Sequence, residues 1–284
     1  MKPQRGAALV MVMWLVALLV ALVGAFAMTA RIEHMQGRVL SRGIVVEEAA
    51  RAGLEYAMTR VVAPDPGVQW LPDGRAYPWT FGDIQVEVRI VDEAAKVDLN
   101  NADLDLLAAL LRVVGADPEL ATRVAAAIQD WRDADSLTQP AGGAEDAQYA
   151  EAGRPYGAKD APFETVAELL QVLGMTPALY AAIESHLTVH SNQAQPDTRF
   201  ASAEVLQAMG LDSASILLQR ESGLPPGGGT GIVGGGSGTY SIDSRARLFD
   251  GRQAVLRALV RSGASGVPGA AYMPLQWEQG ARPR

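Results

Sequence analysis

The chain has 284 residues, no cysteine and a formal net charge of −8. That length is enough for one large or two small domains with a buried core, and the missing thiols exclude a disulfide framework, cysteine zinc sites and thiol catalysis. The charge is uneven: residues 1–60 carry +3, 241–284 carry +4 and 61–240 carry −15, so the middle repels nucleic acid and attracts cations.

Lys2 and Arg5 precede an uncharged run of 24 residues, Ala7 to Ala30. As a helix it spans about 36 Å, more than a hydrocarbon core of about 30 Å. A secretory signal has a shorter apolar region and a small-residue cleavage site. Ala25-Phe26-Ala27 offers such a site, so a secreted chain starting at Met28 is the competing reading. The length favours an anchor that stays, and the basic residues ahead of it favour a cytoplasmic N-terminus with the bulk outside. From Arg31 to Val62 no proline intervenes. Ile32, Met35, Val39, Val46, Ala49, Ala57 and Val61 form one apolar stripe, diluted by Gly37, Gly43 and Gly53. Pro64-Asp65-Pro66-Gly67 breaks it. The first 60 residues thus predict one long helix, apolar first and amphipathic afterwards.

Residues 82–90 alternate apolar and polar, the period of a half-buried strand. Residues 240–248 alternate too. Asp250-Gly251 is a hairpin signal, and 254–260 reads as a third strand. Between the first and second strands lie about 150 residues of helical texture, with helices predicted over 103–114, 118–132, 164–173 and 177–187. Pro118 and Pro177 sit at first helical positions, and Gly115 and Gly174 follow the preceding helices. A sheet interrupted by helices predicts an inserted domain over 95–220, with the flanking α+β unit built from 31–94 and 221–284.

The densest oxygen cluster of the insertion is Asp130, Asp133, Asp135, Glu145 and Asp146. Calcium takes six to eight oxygen ligands, and two acidic pairs joined by a loop can supply several. The loop lacks EF-hand spacing, and a solvated acidic loop is the plainer reading. His186 and His190 are four apart with Leu-Thr-Val between them and no further ligand, so a structural role is expected. Gly227 to Gly238 has eight glycines but no phosphate-loop lysine, and reads as a flexible loop. Tyr272, Leu275 and Trp277 either dock locally or lie in a disordered tail.

A short basic leader ending in glycine, then an apolar helix running into an amphipathic one, resembles the type IV pilins and pseudopilins. The run Val12 to Leu19 is similar to that of the K-type minor pseudopilins of type II secretion systems. So are Lys96-Val97-Asp98-Leu99-Asn100, Ala127 to Asp135, Gly143-Ala144-Glu145-Asp146, Ala161-Pro162-Phe163 and Leu187-Thr188-Val189. The resemblance implies an α+β, pilin-like fold: a long N-terminal helix packed on an antiparallel sheet, with a large inserted all-α domain of helix-hairpin-helix or SAM-like type. It implies a leader over 1–6, cut by a prepilin peptidase between Gly6 and Ala7 with methylation of the new terminus, and a transmembrane part over 7–30. It implies an inner-membrane, single-pass protein with its bulk in the periplasm and no enzymatic activity. Most pilins carry a glutamate as fifth mature residue; here that position is Met11, which suits a subunit at the filament tip. The expected partners are other minor pseudopilins and the major pseudopilin, with no nucleic acid. The resemblance also implies calcium in the inserted domain, for which Asp133, Asp135, Glu145 and Asp146 are the candidates. A membrane-anchored helix-hairpin-helix DNA receptor is the alternative. Its turns each hold a single glycine, and the acidic middle segment opposes phosphate binding.

Overall fold

A computed structural model describes residues 5–65, 67–222, 236–263 and 272–280, with only the backbone path given for 5–8 and 29–41. Helix α1 (Arg5–Val61) runs 57 residues without interruption, about 85 Å at 1.5 Å per residue. Its Leu9–Met28 stretch has a mean hydropathy of 2.8 and buries nothing against the rest of the chain. That is enough to cross a bilayer. From Val46 onward the helix enters the fold. Val46, Ala49, Ala50, Leu54, Ala57, Met58 and Val61 are buried, spaced as one helix face.

That face packs on a five-stranded sheet: β1 (Asp73–Phe81), β2 (Ile84–Asp92), β5 (Thr239–Arg247), β6 (Gln253–Ser262) and β7 (Tyr272–Gln279), adjacent in that order and antiparallel throughout. Val86, Val88, Ile90, Ile242 and Val260 point at α1 and close the core. Gly53 sits at the contact. A Cβ there would lie 2.4 Å from Ser244 Oγ and 2.7 Å from Val86 Cγ1. So this glycine does not dilute the stripe; it lets the helix lie close against the sheet. The side chains of the upper stripe, Ile32, Met35 and Val39, fall outside the described residues.

The sheet has five strands where the sequence predicts three. Both additional strands are edges. β1 contains Pro78 and β7 contains Pro274, tolerated at edges, and neither alternates cleanly in burial. Tyr272, Leu275 and Trp277 therefore belong to a paired strand.

Between β2 and β5 the chain builds a second apolar core from Val97 to Leu206. A two-residue parallel pair, β3 (Val97–Asp98) with β4 (Leu187–Thr188), brings the two ends of this region together. Its helices are α2 (Leu104–Val113), α3 (Pro118–Arg132), α4 (Asp146–Glu151), α5 (Pro177–Ile183), α6 (Ala203–Ala208) and α7 (Ser213–Glu221). α2 and α3 match the predicted spans closely. Two predicted helices are corrected. Residues 164–173 form only a 3₁₀ turn, Val166–Gln171, anchored by one buried residue, Leu169. The helix expected over 177–187 stops at Ile183 and tightens into a 3₁₀ turn, Glu184–His186, before β4. The larger part of the glycine-rich run lies outside the described residues.

Candidate metal centre

The site begins at the end of α3. Its last turn is clamped from both sides. Trp131 packs among Tyr149, Tyr156 and Phe163 at centroid distances of 5.9, 6.4 and 6.3 Å. Arg132 donates to the carbonyls of Leu99 and Ala102, the latter at 2.6 Å. Asn100 clasps Phe163 with two hydrogen bonds, donating to its carbonyl at 3.0 Å and accepting from its N–H at 2.7 Å. Asp98 accepts from Asn100 N–H, Asn101 Nδ2, Ser191 Oγ and Asn192 N–H. The segment 96–100 and Phe163 are thus the frame on which α3 ends.

From that frame Asp133 and Asp135 leave the helix, and Glu145 returns as the N-cap of α4. Asp133, Asp135 and Glu145 each present an oxygen within 4.8 Å of the other two. Two oxygens bound at about 2.4 Å to a shared calcium are at most about 4.8 Å apart, so this spacing fits one ion. Asp133 Oδ1 and Glu145 Oε1 are buried and have no hydrogen-bond partner among the described residues. Orphaned buried oxygens of this kind call for a cation or a proton. The electrostatics agree. Burial, then the charges of Asp130, Asp160, Asp133 and Asp135, push Glu145 up to about 7. Burial and Asp135 push Asp133 up as well.

The four carboxylates proposed from the sequence are not all together. Asp146 is outside the group; its Oδ1 lies against Gly157, where an added Cβ would come within 1.6 Å. Asp130 builds the loop: fully buried, it accepts from the N–H groups of Gln139 and Ala144. Gly143 passes so close that a Cβ would lie 2.0 Å from Asp130 Oδ2. Asp160 is the residue that sequence reasoning missed. It lies near enough for its charge to raise both Glu145 and Asp133. It is held at φ 52°, and no local pattern reveals it.

The remaining candidates are placed as follows. Gly6 and Ala7 lie in the first turn of α1, their surroundings outside the described residues. Met11 is 72% exposed on the apolar part of α1. His186 Nδ1 lies 3.1 Å from Ser202 Oγ at the start of α6, and His190 donates its N–H to Thr188 Oγ1; neither belongs to the carboxylate group. The hairpin turn between α2 and α3 is occupied from within. Asp117 caps α3, accepting from the N–H groups of Glu119 and Leu120. Thr176 does the same for Leu179 at the start of α5. At both helix starts the cap side chain thus occupies N–H groups that a phosphate would otherwise meet.

Three comparisons bear on this architecture. Residues 88–192 match the model of the first domain of the family "Type II secretion system (T2SS), protein K". The chain is 29% identical over 256 residues to a type II secretion system protein K of Klebsiella pneumoniae, spanning 77% of this chain and 76% of the relative. It is 25% identical over 253 residues to the same-named protein of Pectobacterium carotovorum subsp. carotovorum, spanning 76% and 75%. Its fold is similar to a chain in the crystal structure of the GspK-GspI-GspJ complex of the enterotoxigenic Escherichia coli type 2 secretion system. There the TM-score is 0.60 at 15% identity, covering 87% of this chain and all of that one.

Proposed function

We infer that the chain belongs to the protein K family of type II secretion systems and serves as a minor pseudopilin, a structural component of the pseudopilus. The observation that carries this is a long helix on an antiparallel sheet split between adjacent strands by a helical insertion. The protein K family model falls on the last residues of β2 and the insertion. Two further features favour the tip of the filament. Met11 leaves the membrane helix without a carboxylate for pairing with a neighbour. The insertion is bulk that a subunit stacked above would meet.

The partners follow from the same reading: other minor pseudopilins, by analogy with the complex in which the structural neighbour was solved, and the major pseudopilin below. The apolar Leu9–Met28 stretch is the inner-membrane anchor, with the sheet and insertion in the periplasm. A prepilin peptidase cuts between Gly6 and Ala7. The acidic group holds calcium through Asp133, Asp135 and Glu145. The ion neutralises three converging carboxylates and pins the 133–145 loop to the end of α3.

The test is the N-terminus and intact mass of the membrane-expressed chain, with and without prepilin peptidase. A peptidase-dependent start at Ala7 is expected. A start at Met28, or an uncut chain in both samples, overturns the assignment.

A further inference from the structure

We propose that Glu93 is a positioning residue that fixes the inserted helical unit in one orientation against the α1–sheet unit. This goes beyond the secretory reading and does not depend on it. The two units have separate apolar cores. The 3₁₀ turn Glu93–Ala95, which leaves β2 toward the insertion, packs on β5 and joins the two units. Alongside it, a cleft of about 430 Å³ lies between Glu184 and Ser185 of the insertion and Gly74, Arg89 and Ser241 of the sheet's outer face. Relative motion of two units is the default where the interface between them is not large and hydrophobic.

The lock is polar. Glu93 is 2% exposed, and its carboxylate is held from both sides. Ser241 Oγ on β5 donates to it at 2.5 Å, and Thr188 Oγ1 on β4 donates to its other oxygen. Lys96 Nζ completes the node, 2.5 Å from Glu93 and 3.0 Å from Ser241 Oγ. Burial alone would raise the Glu93 pKa; the charge of Lys96 and these hydrogen bonds carry it below the usual range. The neighbouring residues reinforce the joint. Ala94 C=O accepts from Asp197 N–H at 2.7 Å, and Asp92 accepts from Ser237 ahead of β5. A buried ion pair of this kind contributes little net stability against an apolar replacement; here its partners come from β5 on one side and β4 on the other.

The cysteine-free chain allows a direct test. Cysteines at the exposed positions Glu119 on α3 and Gln253 on β6 carry spin labels in the full chain in detergent, and the distance distribution is read by pulsed electron resonance. One narrow distance is expected for the wild type. It should broaden or split in Glu93→Gln and in Thr188→Val, with helix and strand content unchanged by circular dichroism. Thr188→Val removes the donor to Glu93 and the acceptor of the His190 N–H at nearly constant shape, and it decides the matter if Glu93→Gln does not fold. A distribution already broad in the wild type, or one left narrow by Thr188→Val and by any folded Glu93→Gln, overturns the proposal.

Discussion

Glu145 is where residue-scale physics is most exposed to experiment. Its folded pKa of about 7 stands above the 4.5 of the free side chain. Between those values the folded, metal-free chain keeps a proton that the unfolded chain gives up. Stability from this group is therefore complete below about pH 4.5 and is lost as pH rises through about 7. With chelator present, the melting temperature should be higher near pH 5.5 than near pH 7.5. Calcium should reverse that order, because the ion needs the carboxylate deprotonated. At a hundredfold excess over Kd it adds about 2.7 kcal/mol, or roughly 5–10 °C for a chain of this size. Glu145→Gln should abolish the calcium response while leaving the metal-free protein no less stable at neutral pH. Asp133, Asp135 and Glu145 were legible in the sequence because one short loop carries them. Asp160 was not, because a second loop delivers it. Asp146 stands apart from the three because adjacency to Glu145 says nothing of direction once a helix starts between them.

At the scale of elements, α1 shows what periodicity can and cannot reveal. Its buried face was readable, since apolar residues three and four apart have one place to go. The meaning of its glycines was not, since it depends on strands almost two hundred residues downstream. Gly53→Ala should destabilise the fold by about 1–3 kcal/mol through overpacking against Val86 and Ser244, partly offset by the better helix propensity of alanine. Gly43 has nothing within 4 Å of the same added methyl group, so Gly43→Ala should stabilise by about 0.5–1 kcal/mol. Opposite shifts in thermal melts would separate contact from propensity within one helix. α2 and α3 were legible end to end because Asp103 and Asp117 cap them. The edge strands were not, because an edge tolerates the proline and exposure that the sequence pattern counts against a strand.

For the whole molecule, the charge distribution and the capped hairpin turns make one prediction against the DNA-receptor alternative. The chain should show no salt-sensitive binding to duplex DNA, since residues 61–240, which hold the hairpin turns, carry a net charge of −15 and repel phosphates. Measurable affinity that falls steeply with salt would reopen that reading. The position of the insertion also bears on how the chain folds. β2 and β5 are direct neighbours, Asp92 opposite Tyr240, yet 146 residues separate the two strands. Closing a disordered loop of that length is slow and carries an entropic cost. The parallel pair β3–β4 shortcuts the path, because once Val97 meets Leu187 the effective loop shrinks by more than half. That saves about 1 kcal/mol of closure entropy. The helical unit is then the scaffold on which the five-stranded sheet is completed. Pulse-labelled hydrogen exchange should find amides of α2 and α3 protected before those of β5. A lesion in the insertion would appear first as a sheet slow to close, long before any surface of the finished chain is at fault.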